Sequence, residues 1–219
     1  MWALMRSVYN ANGFDKISYH HMSGSPTAPM PVEVGAMGFD DRWVCHYIRE
    51  KLFMVDPITE LALRATEPFF WSQINELVQL TPDQRGYLAQ MEAAGLGNGL
   101  AFQVFGPGMR NGYVGLGFSD PANVPDGPKV HEMQFIAQAG HIRYCALVPL
   151  RSTDLRLSPR EQDVLRWIAR GKSNSVIADI LGLSPHTVDT LMRRVFRKLG
   201  TSDRTTAAIE GLGAGLILP

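Results

Sequence analysis

LSPREQDVLRWIARGKSNSVIADILGLSPHTVDTLMRRVFRKLG, residues 157–200, carries three helix starts and three helix stops. Ser158-Pro159-Arg160-Glu161 opens a helix as a capping box does: Ser158 accepts from the third helical N–H, Pro159 suits the first position, and Glu161 reaches back. Val164, Leu165 and Ile168 form the buried stripe of this helix, and Gly171 ends it. Ser173 caps a second helix whose Ile177, Ala178 and Leu181 face inward, and Gly182 breaks it just before Ser184-Pro185 opens a third. That third helix runs to about Leu199, with Gly200 as its stop. A short helix, a tight glycine-containing turn and a longer helix make a helix-turn-helix, which offers its second member to the DNA major groove.

Spacing separates the faces of the third helix. Val188, Met192, Val195 and Leu199 recur at four, three and four with Leu191 beside them, so they point into a small core. The other face carries Ser184 at its start, then His186, Thr187, Thr190, Arg193, Arg194, Arg197 and Lys198. A lone run of charge reads as a solvated face. Four cations within six residues, framed by three capped helices and a turn, read instead as contacts to phosphates and base edges of double-stranded DNA. Because a helix-turn-helix reads half-sites about 34 Å apart, a two-fold homodimer on a pseudo-palindromic operator is expected.

The rest of the chain differs in texture. Residues 1–150 hold 10 Lys and Arg against 14 Asp and Glu, and residues 151–219 hold 11 against 7, although all 219 residues sum to zero net charge. A basic end on an acidic body fits a polyanion-binding module attached to something else. The polar segment Arg151–Arg156 reads as the linker between a domain at 1–150 and a domain at 157–219. In the larger domain, residues 2–11 read as a helix and Lys16–Met22 as a strand. Residues 23–38 read as a loop, and Asp41–Phe53 and Thr81–Ala94 as helices. Gly99–Phe105 and Tyr113–Phe118 read as a hairpin, and Val130–Leu147 as a long helix. The fold class expected is α+β: an N-terminal antiparallel sheet sandwiched by helices (α-β-α), then a small all-α domain. Residue 1 falls at the edge of the first helix, so further N-terminal residues are expected.

Composition excludes several classes. With 45% hydrophobic and 19% charged residues the chain is neither disordered nor collagen-like. No apolar run approaches the roughly 18 residues of a membrane span and no secretory leader is legible, so the protein is read as cytoplasmic, without membrane partners. Cys45 and Cys145 are the only cysteines and stand outside any zinc spacing, so they read as reduced thiols, and no metal is expected. Cys45-His46 are neighbours on a helix and His20-His21 alternate across a strand, so neither pair makes a catalytic site, and no enzyme is expected.

Trp43, Tyr47, Asp56-Pro57 and Trp71 stand in the order W-x3-Y-x8-D-P-x13-W. Trp43 and Tyr47 one turn apart, followed by an aspartate within Phe53-Met-Val-Asp-Pro-Ile58, suggest a lipophilic pocket with few polar fixtures. The plainer reading makes the aromatics core and Asp56 the cap of the helix that follows, and composition alone favours it.

Residues 157–200 resemble the DNA-binding domain of LuxR-type transcription regulators over its full length. The resemblance implies that Glu161, Leu165 and Gly171 hold the family's hallmark positions and that a helix from Ser202 onward supplies a dimer contact. Asp189 stands where many members carry lysine, and it can pair with Arg193 one turn on. Val176 and Ile180 replace usually charged residues and suggest an interdomain contact. Residues 1–150 resemble the autoinducer-binding domain of quorum-sensing LuxR-type receptors, with Gly99 on the family's glycine before the hairpin. The resemblance implies an acyl-homoserine lactone as ligand, with no other cofactor. Trp43 would donate to the lactone carbonyl and Asp56 accept from the amide N–H, while Tyr47, Trp71 and Ile58 line the site. Phe39 and Gly115 replace two hydroxyl-bearing residues that serve the acyl carbonyl. A buried carboxylate needs donors, so Asp56 is expected to reward a ligand that brings one.

Three other readings stay in view: a regulator of this type with a non-lactone apolar signal, one acting without ligand, and a two-component response regulator. Asp40-Asp41 resemble the acidic pair of the last, but they follow a Gly- and Pro-rich loop, and Lys129 has no alternating strand-helix context.

Overall fold

The computed structural model describes residues 2–22, 32–148 and 156–218. Contacts divide the chain into a unit within residues 1–144 and a second unit from Cys145 onward together with Gly106–Arg110. The expected linker lies, apart from Arg156, outside the described residues.

The first unit begins with α1 (Trp2–Ala11), β1 (Lys16–Met22), β2 (Val32–Met37) and α2 (Asp41–Arg49). It continues through α3 (Pro57–Ala62), β3 (Phe69–Phe70), α4 (Ile74–Leu77), α5 (Pro82–Ala93), β4 (Gly99–Val104), β5 (Gly112–Gly117) and α6 (Gly127–Leu147). The five strands lie in the order β2-β1-β5-β4-β3, with antiparallel pairing of β1 to β5, β5 to β4 and β4 to β3.

Strand alternation sorts the sheet into two faces. Ile17, Tyr19, Leu100, Phe102, Val104, Val114 and Leu116 pack against α1 and α6 through Met5, Tyr9, Val130, Met133 and Ala137. The opposite face meets Tyr47, Ile58, Ile74, Tyr87 and Met91, contributed by α2 to α5, through Ala101 and Tyr113. Helices therefore cover both faces of an antiparallel sheet, the α-β-α arrangement that the hydrophobic pattern implies.

Three details depart from the sequence reading. Val32–Met37 is a strand and not part of a loop. Its short run beside Pro29 and Pro31, with Gly35 inside, is tolerated because β2 is an edge strand. α2 stops at Arg49, since Lys51 adopts a left-handed φ of 53° and a single 3-10 turn follows at Leu52–Met54. β3 and α4 are too short for periodicity to reveal.

The second unit contains α7 (Pro159–Ala169), α8 (Asn174–Leu181), α9 (Pro185–Leu199) and α10 (Arg204–Gly213). Ser158, Ser173, Ser184 and Asp203 each cap the helix that follows by accepting from a backbone N–H. Gly182 ends α8 at φ +63°, which turns the chain into α9 within three residues and would strain any residue with a Cβ. Val164, Ile168, Ile177, Val188 and Leu191 form one buried cluster, and Leu165, Val195, Ala207 and Ile217 another. No helix among the described residues is long and apolar enough to cross a membrane.

Candidate functional site

A cavity of about 490 Å³, its mouth included, opens between the sheet and helices α2, α3 and α5. Phe39, Trp43, Tyr47, Asp56, Ile58 and Trp71 all line it. Tyr47 lies one turn after Trp43 on α2, and Asp56 ends the turn that follows. Trp71 lies against Gly99, where a Cβ would stand 2.5 Å from the indole, so only glycine leaves room for the ring.

Asp56 caps a helix, as the plainer sequence reading has it, and its second oxygen gathers hydroxyls from the cavity wall. Its Oδ1 caps α3 by accepting from the N–H groups of Ile58 at 2.9 Å and Thr59 at 3.4 Å. Its Oδ2 accepts from the hydroxyls of Tyr47 at 3.0 Å, Thr59 at 3.0 Å and Tyr87 at 3.1 Å. The donors that a buried carboxylate needs are supplied by the chain itself, Tyr87 from 31 residues downstream. Every one of these donors is neutral. Burial therefore raises the carboxyl above its ordinary value, and the hydrogen bonds only partly oppose it. The same burial, together with the nearby carboxylate, raises the phenols of Tyr47, Tyr87 and Tyr113.

Gly115 is not itself a wall. It pairs with Ser18 across β1 and β5, and a Cβ on it would collide with the Tyr113 hydroxyl and Ser18 Oγ. The Tyr113 and Ser18 hydroxyls thus stand beside Gly115, which replaces a hydroxyl-bearing residue. Ser18, His20, Tyr87, Met91 and Tyr113 line the cavity without having been named as site residues. Alternation along β1 and β5 puts Ser18, His20, Tyr113 and Gly115 on one face and was the available signal. Nothing local points to Tyr87. Among the described residues no group of three or more His, Cys, Asp or Glu could hold a metal.

In the second unit, α9 exposes His186, Thr187, Arg193, Arg194 and Arg197 and half-buries Thr190. Ser184 Oγ accepts from Thr187 N at 3.1 Å and so caps the helix. Thr190 Oγ1 donates to the His186 carbonyl at 3.0 Å, and Arg193 pairs with Asp189 at 2.8 Å. Lys198 is engaged inside the fold: its Nζ lies 2.6 Å from Glu161 Oε2 and donates to the Arg156 carbonyl at 3.0 Å. Glu161 also accepts from Ser158 N at 2.7 Å. Although burial pushes its carboxyl up, these contacts and the Lys198 charge hold it below the ordinary value. The exposed cations without a partner among the described residues of α9 are Arg194 and Arg197. Val176 and Ile180 are solvent-exposed on α8.

Residues 1–144 match the model of the autoinducer binding domain, and residues 155–210 match that of bacterial regulatory proteins of the luxR family. The chain belongs to the LuxR family. Among LuxR-type relatives, the transcriptional activator protein AhyR of Aeromonas hydrophila is 31% identical over 188 residues, covering 82% of this chain and 71% of that one. The transcriptional activator protein PhzR of Pseudomonas fluorescens is 29% identical over 210 residues, covering 93% and 83%. The crystal structure of Escherichia coli SdiA shares the fold, with a TM-score of 0.75 at 19% identity over 100% of this chain and 91% of that one. This LuxR-type protein is a quorum-sensing transcription regulator with a ligand-binding domain and a helix-turn-helix, and not an enzyme.

Proposed function

We propose that this LuxR-type regulator senses an acyl-homoserine lactone in the Asp56 cavity with residues 1–150, and that residues 157–219 read a pseudo-palindromic operator as part of a two-fold dimer in the cytoplasm. The observation that carries the reading is a buried carboxylate held by rotatable hydroxyls in the wall of an apolar cavity. A carboxylate offers about four acceptor directions, and Asp56 already meets five donors. A ligand amide N–H would therefore replace one tyrosine hydroxyl, and that O–H would swing to donate to a ligand carbonyl. Trp43 would serve the lactone carbonyl, with Phe39, Tyr47, Ile58 and Trp71 enclosing the acyl chain and Gly115 leaving the carbonyl to Ser18 and Tyr113. On α9, Ser184 and Thr187 at the N-terminus, with His186, Thr190, Arg193, Arg194 and Arg197, would meet DNA, and Lys198 would hold the helix in place. Mass spectrometry of lipophilic molecules that co-purify from a lactone-producing host tests the ligand class.

A second reading, an acyl signal with another head group, is favoured by the full donor set of Asp56, which leaves no acceptor waiting for an amide. One structure sharing this fold, at a TM-score of 0.75, is described as SdiA in complex with octanoyl-rac-glycerol. Thermal shifts with a lactone and with an acylglycerol of equal chain length separate the two readings.

A further inference from the structure

The polar groups of the cavity stand in two places, Asp56 with Tyr47 and Tyr87 on the helical side and Ser18, His20 and Tyr113 on β1 and β5, among apolar residues such as Val34, Phe39 and Met91. His20 is 3% exposed and its Nδ1 is buried without a hydrogen-bond partner. Its ring packs 4.9 Å from Tyr113 and 5.9 Å from Tyr47, centroid to centroid. Burial lowers its pKa to about 4, so at neutral pH it is an uncharged imidazole with one N–H donor and one acceptor. A second buried polar atom in the same lining, Trp71 Nε1, also has no hydrogen-bond partner of good geometry, although the ring lies near the Tyr113 hydroxyl. Buried polar groups are nearly always satisfied in the working state of a protein, by protein, water or ligand.

We infer that His20, with Trp71, forms a second polar station that selects a ligand bearing a keto or hydroxyl oxygen on its acyl chain, close to the head group held at Asp56. The position follows from Tyr47, which donates to Asp56 at its hydroxyl and abuts His20 with its ring, so only a few chain atoms separate the two stations. A plain alkyl chain would leave the buried His20 nitrogen unpaired, and a site built for hydrogen bonding discriminates against an analogue lacking the partner. This inference rests on the lactone reading above and names the substitution the pocket prefers.

The test is calorimetric titration of the full chain with three hexanoyl-homoserine lactones: unsubstituted, 3-oxo and 3-hydroxy. The wild type is expected to bind one oxygenated form at least about tenfold more tightly than the plain one. His20→Leu, close in size but without nitrogens, should lose that preference, read as the ratio of oxygenated to plain affinity within the variant itself. His20→Gln, which retains a donor and an acceptor, should keep part of the preference. Equal binding of all three ligands by the wild type, or an undiminished preference in His20→Leu, would overturn the inference while leaving the lactone reading intact. Absence of binding by all three would overturn both.

Discussion

Asp56 and Glu161 are both buried carboxylates, one in each unit, and they are held by opposite means. Glu161 meets a cation, Lys198, and locks the start of α7 to the end of α9. Asp56 meets only neutral donors, three of them hydroxyls that can turn. One carboxyl is accordingly lowered and the other raised. A charge matched by a fixed opposite charge stiffens a fold, whereas a charge matched by rotors leaves a site that a ligand can rearrange. The glutamate of the DNA-binding unit thus ties two helices together, while the aspartate of the ligand-binding unit combines a helix cap with three hydroxyl contacts.

Acid should separate the contributions. His20 has a lowered pKa, so its contribution is present above the ordinary value of 6.5 and is lost as pH falls toward about 4, because the unfolded chain binds the proton more readily. That shift corresponds to about 3 kcal/mol. Asp56, raised by burial, changes in the opposite sense: its ionised form weakens the fold as pH rises through its folded value. Tyr47 and Tyr113 face His20 but stay protonated throughout this range. Denaturant melts of wild type and His20→Gln, which share Asp56, should differ in slope between pH 6.5 and 4, and parallel curves would show that His20 is not buried neutral.

Glu161→Gln comes next, with an expected loss of about 2 kcal/mol at pH 7, since Lys198 keeps its charge while losing its partner. The deficit should shrink as pH falls through the ordinary carboxylate value toward the lowered folded one, where the wild-type glutamate also takes a proton. A deficit that grew in acid would break the contrast with Asp56.

The smallest effects concern α9. Arg194→Ala should weaken operator binding by about 1 kcal/mol and reduce the salt slope by about one unit. Lys198→Ala should lower the melting temperature and leave that slope almost unchanged. Gel-shift titrations across salt concentrations distinguish them, and a lost slope in Lys198→Ala would return that residue to the DNA contacts.

Legibility in the sequence follows contact range. Ser158, Ser173 and Ser184 act on N–H groups three residues ahead, so the caps of α7, α8 and α9 can be read one residue at a time. The order Trp43, Tyr47, Asp56, Trp71 was equally readable because α2 and the cap of α3 are local. Tyr87 reaches Asp56 from 31 residues away and Lys198 reaches Glu161 from 37, so neither the full donor set nor the commitment of Lys198 has a local signature. β2 escaped because proline and glycine mark loops unless the strand lies at an edge, and edge position is a property of the sheet.

The central claim is that Asp56 is an adjustable ligand contact and more than a helix cap. Asp56→Asn keeps the volume and can still cap α3, but turns one acceptor oxygen into a donor facing the ligand N–H. Matched melting curves of wild type and Asp56→Asn, titrated with the lactone the wild type prefers, measure this directly. The account expects a concentration-dependent rise in melting temperature for the wild type and a much smaller one for the variant, equivalent to about 1–3 kcal/mol of lost affinity. Equal rises in the two proteins would contradict it and leave Asp56 a cap alone.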